Sequence, residues 1–515
     1  MTGPQLVDEI QDFVNEKTQA YLAELPLCEM ASLTEIQTLG LAVAKAVGRA
    51  VFAAWSKVLV TAAKELGMDC PCCGHRRKCK TRPKAPLRIT VLGMEIEVPK
   101  LYLECGHCHA PGVSITVLLT GLSSGEASLQ LKLNAAHFAA KHSYGEAGQD
   151  MVAHYGQDIE RTKLRRMALA VEQRAVDYAE AKRAEALQQV SGEARTTGVP
   201  ILMVEADGGM IRTGQLVDLD PTDPGYGEET KRGTPRRKRP TQYRELITMD
   251  AREPGETEPT TLDVLVPVGA PQGERSRRLL ALAGRKGLGD NTSVKGLGDL
   301  GSGLPAAFDE AFVGYKADFC ADWKHICDYV RAASKVLWGL DAESWAKQMK
   351  DAIWDREPDA RDKLLAKARK HRLKDLPTDL DNKCPVKALS HYVKHNWHRM
   401  HSAQRKAEGL PFVSARAEAQ VRDRSKKRFN VAGAWKLNNL EPKATLRAII
   451  HEGDWEHFKR SELASEQSCF AQALQTRLQQ AVTEGRLSPT VISDIETPMP
   501  AAAQADRDLP QAHAG

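Results

Sequence analysis

The sequence predicts a multidomain α/β protein, and three observations carry that prediction. The chain has 515 residues, too long for one ordinary domain, and 42% of them are hydrophobic, enough for several cores. Its periodicity changes several times, from helical spacing to strand alternation and back. Six of its eleven cysteines fall between residues 70 and 110.

Residues 1–66 read as helices, with apolar residues at three and four spacing from Ile36 to Leu66. Lys45, Arg49 and Lys57 interrupt the longest apolar stretch, so it is amphipathic and no membrane span is expected. The first residues lack the basic and apolar regions of a signal peptide, and the expected compartment is the cytoplasm. The cysteines are then expected to be reduced or metal-bound.

Residues 67–122 read as a zinc ribbon. Cys70 and Cys73 form one C-x-x-C pair and Cys105 and Cys108 another, with 31 residues between the pairs. Two such knuckles supply four thiolates for a tetrahedral structural Zn2+. Between them Leu87, Ile89 and Val91 alternate, as do Met94, Ile96 and Val98, with Leu92-Gly93 as the turn of a hairpin. Cys72 and Cys79 are spare, although Cys72 competes with Cys73 for the register.

Residues 123–196 read as a helical DNA-binding region resembling a helix-turn-helix. Ser143 and Glu146 form a capping box, Gly156 closes the first helix, and the second starts near Asp158. Arg161, Lys163, Arg165 and Arg166 lie near its start, suited to phosphate contact.

The core is expected over residues 197–450. The run VPILMVEAD is almost wholly apolar up to Val204, as in a buried central strand, and is expected to end on Asp207. RELITMDA and TLDVLVPV follow as strands after a basic insertion that carries Arg236, Arg237, Lys238 and Arg239. This is the order of a ribonuclease H-like mixed sheet, in which three carboxylates from distant segments hold two Mg2+ ions, with Mn2+ able to substitute. The second carboxylate has several candidates, Asp299 with Asp290 and Asp322 as rivals. Glu418 is the third, followed by basic turns that include Arg424 and Lys427. A helical insertion spans about 340–408, C-terminal helices 451–496, and an Ala-, Pro- and Gln-rich tail 497–515 reads as disordered. Near-helical spacing of His391, His395, His398 and His401 reads as a packing or nucleic-acid-facing helix rather than a metal site.

The order of these motifs carries a resemblance. CPCCG, CGHC, a strand with ADGG, GDLGSGLPAAFDEAF, DWKHICDY, YVKHNWHRM, GLPFVSARAE and GAW together resemble bacterial insertion-sequence transposases of the ISKra type. The resemblance covers about Cys70 to Ile450. It implies a DDE enzyme with catalytic, Mg2+-holding Asp207, Asp299 and Glu418, supported by Asp322 and His325. It further implies double-stranded DNA as partner, both element ends and target, and a homodimer or higher oligomer. The competing reading is a decayed or domesticated transposase that binds DNA without cutting it. Mild basicity, a net charge of +5, agrees with either.

Overall fold

The computed structural model describes residues 69–487 apart from 82–85, 92, 111, 122–124, 192–196, 232, 257–260, 302, 338–340, 371–383, 415–418, 420–426 and 430–433, together with a few positions between 12 and 52. The expected N-terminal helices and C-terminal tail, and with them Glu418 and Arg424, lie outside the described residues. The chain folds as two compact units. One comprises residues 1–138, 144–167 and 459–515, the other 139–143 and 168–458.

In the first unit β1 (Lys78–Thr81) pairs antiparallel with β4 (Leu101–Glu104), which pairs with β5 (Val113–Ser114). The expected hairpin is present as β2 (Leu87–Val91) and β3 (Met94–Val98), with Leu87 opposite Val98 and Gly93 turning at φ 80°. It forms a sheet of its own, however. The cysteine knuckles are carried by β1, β4 and β5 instead. Leu87, Ile89, Ile96, Val98, Leu101 and Leu103 point into one core, which α1 (Ile115–Thr120) closes with Ile115 and Leu118. After α2 (Leu129–Lys141), α3 (Tyr144–Tyr155) begins one residue after Ser143, and Gly156 turns at φ 60°. α4 (Arg161–Ser191) starts three residues later than the sequence suggests and runs for 31 residues. Gln157, in the turn, accepts from Gly93 N at 2.9 Å and donates to Val91 O at 2.9 Å, locking the turn onto the hairpin.

The second unit is built on a five-stranded mixed sheet. Its strands are β6 (Ile201–Gly214), β9 (Thr241–Arg252), β10 (Thr261–Leu265), β11 (Ser293–Gly298) and β12 (Lys316–Ala321). The order across the sheet is β10-β9-β6-β11-β12. The β6–β9 and β9–β10 pairs are antiparallel, while β11 runs parallel to both β6 and β12. A two-stranded ribbon, β7 (Val217–Asp218) with β8 (Arg237–Lys238), lies between β6 and β9.

Side chains alternate across a strand, so each face collects every second residue. Leu202, Val204, Ala206, Met249, Val294 and Phe319 share one face and its core. α5 (Glu274–Arg285) covers this face with Leu279, Leu282 and Ala283, and α6 (Leu304–Ala311) with Ala307 and Phe308. Gly296 has no room for a side chain, because an added Cβ would lie 2.5 Å from Phe319 Cδ2 and 2.7 Å from Phe308 Cε2. After β12 the chain is helical: α7 (Trp323–Lys335), α8 (Ala342–Trp354), α9 (Pro358–Lys370), α10 (Pro385–His395) and α11 (Ser402–Ala407). Trp345, Met349, Leu365, Leu389 and Val393 form their shared core. α12 (Leu437–His451) covers the β9–β10 side of the opposite face through Leu440 and Ala444. α13 (Trp455–Thr483) follows, 29 residues long. No helix among the described residues is long and apolar enough to cross a membrane.

Candidate functional sites: a row of aspartates and a cysteine cluster

The sheet register brings three of the singled-out aspartates into one row. Gly298 of β11 pairs with Ala206 on one side and Ala321 on the other. Asp207, Asp299 and Asp322 each follow one of these residues directly. Neighbouring strands are about 4.8 Å apart, so Asp207 and Asp299 start from Cα positions about 5 Å apart. By alternation all three stand on the face opposite α5 and α6.

Asp207 does not end its strand. β6 continues to Gly214, because β9 goes on pairing antiparallel through Gly208 and Gly209, which are extended backbone and not a turn. What stops at Ala206 is the parallel pairing with β11. Asp207 is half-buried and its Oδ1 accepts from Gly208 N at 2.8 Å. Asp299 is also half-buried. Its Oδ1 is shielded from solvent and takes no hydrogen bond.

Asp322 is fully buried and its bonding is complete. It caps α7, accepting from Lys324 N at 2.8 Å, while its other oxygen accepts from the Ser414 hydroxyl. His325 Nε2 stands 3.9 Å from that second oxygen, beyond hydrogen-bond length. Ser414 lies four residues before Glu418, and Phe412 O accepts from Trp323 N at 3.0 Å. The chain leading to Glu418 is thus tied to the Asp322 end of the row. Asp290 lies elsewhere: it precedes β11, roughly 20 Å from Asp299 along a six-residue strand.

Behind the row the same face holds charges that sequence reading missed. Glu205, Asp250 and Arg252 are 1%, 1% and 5% exposed. Arg252 donates to Asp250 at 2.9 Å and also to Glu205. Burial pushes the Glu205 carboxyl up, and the charge of Asp250 adds to this. Further along, His401 Nε2 meets Asp318 Oδ2 at 2.9 Å. Burial alone would lower the imidazole, but the Asp318 bond outweighs it and raises His401 to about 9. Glu205 was legible as the residue two before Asp207, hence on its face; the partners of these groups were not.

In the first unit the four knuckle cysteines converge. Cys70 Sγ lies 3.5 Å from Cys108 Sγ, and Cys73 Sγ lies 3.5 Å from Cys105 Sγ. The four sulfurs form a cluster able to hold a structural metal such as zinc, and Cys72 is outside it. Burial pushes the Cys70 thiol up, yet backbone N–H groups of Cys72 and Cys73 bring it down, while its neighbour Cys108 is pushed up despite the Ala110 N–H, because the clustered thiols share their protons.

The basic residues are unequal. Arg161, Arg165 and Arg166 are exposed on the first turns of α4, whereas Lys163 donates to Thr90 Oγ1 at 2.7 Å. On the β7–β8 ribbon Arg236 pairs with Glu228, Arg237 with Asp218, and Lys238 with Asp220 and Asp223; Arg239 is exposed. Lys427 is exposed as well. Trp435 packs on Phe429 and donates to its carbonyl, as a core residue does. His391 and His395 stack on each other, and no carboxylate or cysteine joins them in a metal-holding group among the described residues.

No model of a known protein family matches the chain, and no curated protein matches it.

Proposed function

We propose that this chain is a DDE-type DNA transposase of the insertion-sequence kind, built on a ribonuclease H-like core. The observation that carries the reading is the juxtaposition of Asp207 and Asp299 on one face of adjacent parallel strands. The sheet supports it. Renumbered by sequence, its order is 3-2-1-4-5, with the first three strands antiparallel and the last two parallel to the first. Motif order in the sequence supports it independently.

In this reading Asp207, Asp299 and Glu418 hold Mg2+, with Mn2+ able to substitute. The two aspartates supply hard oxygen donors, and the unbonded Asp299 oxygen suits that use. Bound there, the metal supplies Lewis-acid chemistry, activating water and stabilising the leaving oxygen of a phosphodiester. The chain's own contribution is positioning. Two rigid parallel strands set the spacing of two carboxylates, and the buried Arg252 cluster keeps the strand pair behind them in register. Asp322 is a positioning residue, anchoring Ser414 and with it the chain that leads to Glu418. The cysteine cluster takes zinc, and the exposed arginines of α4 meet DNA phosphates at the element ends. Joining two ends calls for at least a dimer, working in the bacterial cytoplasm on nucleoid DNA.

The test is strand cleavage of element-end DNA by purified protein with Mg2+ or Mn2+. Asp207→Asn and Asp299→Asn are expected to lose cleavage by about 100- to 1,000-fold, the range for removing one transition-state-stabilising group, while DNA binding persists. Asp290→Asn is expected to keep both. DNA binding without cleavage by the wild-type protein would favour the decayed, DNA-binding alternative. Cleavage without joining would point to a nuclease.

A further inference from the structure

Beside the aspartate row lies a cavity of about 870 Å³, within the range that takes a small-molecule-sized group. It begins at Leu300 and Gly301, the two residues after Asp299, and its far wall is α10. Tyr392 lines it and is 8% exposed; its hydroxyl oxygen faces the backbone N–H of Leu300, and its proton has no acceptor. A buried hydroxyl left unmade costs stability unless a ligand completes it. Its ring stacks on Tyr329, centroids 4.2 Å apart and planes 22° apart, and both tyrosines line the cavity.

The rim is of a different chemistry. Lys387, His391 and His395 line the cavity, are exposed and recur at helical spacing along one stripe of α10, whereas Lys394 on the same stripe is paired with Asp362 at 3.3 Å. The two imidazoles are parallel, 5.6 Å apart with planes 10° apart. A second cavity of about 840 Å³ borders the same stripe and adds Arg369. Flat rings, cations and one buried donor that wants an acceptor are the combination that binds a nucleotide: rings take the base, cations take the phosphates.

We propose that this cavity receives an unpaired nucleotide of the DNA strand next to the phosphate at Asp299. The inference rests on the reading of the Asp207–Asp299 face as the DNA-cutting site. The base stacks against His391 and His395 at the mouth, and the Tyr392 hydroxyl donates to an acceptor on the nucleotide inside. A phenol is protonated near neutral pH, so this hydroxyl is a donor.

The experiment uses the full chain without added Mg2+ or Mn2+, so that cleavage is not the readout. A 12-nucleotide single strand carrying 2-aminopurine is titrated with protein, and inorganic phosphate and thymidine monophosphate are tested as competitors. The wild type is expected to bind and change the 2-aminopurine fluorescence. The double variant His391→Ala, His395→Ala is expected to bind about 5- to 100-fold more weakly, the range for lost base stacking. Tyr392→Phe is expected to lose about 3- to 10-fold, as for one hydrogen bond, with an unchanged melting temperature. Unaltered affinity and fluorescence in both variants would overturn the proposal, as would phosphate competing as well as the nucleotide, which would mark a simple anion site. A protein whose variants bind normally while the wild type still cuts DNA in Mg2+ would lose only this proposal. Variant-sensitive binding in a protein that cuts nothing would keep the cavity and sink the transposase reading.

Discussion

At the scale of single residues, each candidate is distinguished by whether its bonds are already made. Asp322 has both oxygens occupied by Lys324 N and the Ser414 hydroxyl, which makes it a brace. Asp299 has an oxygen with no bond, and the proton of the Tyr392 hydroxyl has no acceptor. His401 is a brace of another kind, and it implies a pH dependence. Its folded pKa of about 9 lies above the ordinary imidazole value, so the proton is held more tightly in the folded state. The pair therefore contributes stability in full below about pH 6.5, and that contribution is lost as pH rises through about 9. Asp318 sits below the ordinary carboxylate range despite its burial, owing to His401, so its share is lost only in strong acid. Wild type is expected to lose about 2 kcal/mol between about pH 6 and pH 10, discounted for the exposure of Asp318 to water. His401→Gln should flatten that part of the curve, as read from denaturant unfolding at several pH values.

At the scale of elements, close approach of backbones decides what is tolerated. β11 carries glycine at 296 because Phe308 of α6 and Phe319 of β12 close over it. Gly296→Ala is expected to destabilise the second unit by about 1–3 kcal/mol through overpacking. The measurement is a melting temperature, and an unchanged value would show that the two phenylalanines can shift. The knuckles give the matching case in the first unit. Their strands, β1, β4 and β5, are short, so a bound metal has much of the holding to do. Cys105→Ser is expected to remove the bound zinc and expose residues 70–114 to proteolysis. Full zinc content by metal analysis would sink the zinc assignment.

At the scale of the molecule, charge placement matters more than the net value of +5. Most cations of the β7–β8 ribbon are answered by carboxylates of the same loop, whereas Arg161, Arg165 and Arg166 stand exposed together. Binding to double-stranded DNA is therefore expected to weaken steeply with salt. Replacing those three arginines with alanine should reduce the slope of log affinity against log salt by about 0.9 for each phosphate no longer neutralised. Alanine at Arg236 and Arg237 should change it less. The check is a salt titration of each variant by fluorescence anisotropy, and equal slopes throughout would remove α4 as the DNA-facing element.

Local signals sufficed for the cysteine pairs, the β2–β3 hairpin, the strands β6, β9 and β10 of the sheet and the helical texture after β12, but not for β12 itself. Sequence alone determined these because knuckle spacing, two-residue alternation and helical periodicity are properties of neighbouring residues. It also suggested Asp207 and Asp299, but gave a wrong reason for the first by ending its strand there. Only tertiary structure decided that β6 runs on beside β9, that the knuckles belong to a different sheet from the hairpin, and that Asp290 faces the wrong end of β11. It alone gave Glu205 its arginine, Asp322 its serine and Tyr392 its cavity. The reason is register. Asp207 and Asp299 are 92 residues apart in sequence, and what brings them together is the backbone pairing of Ala206 with Gly298, which no local pattern encodes.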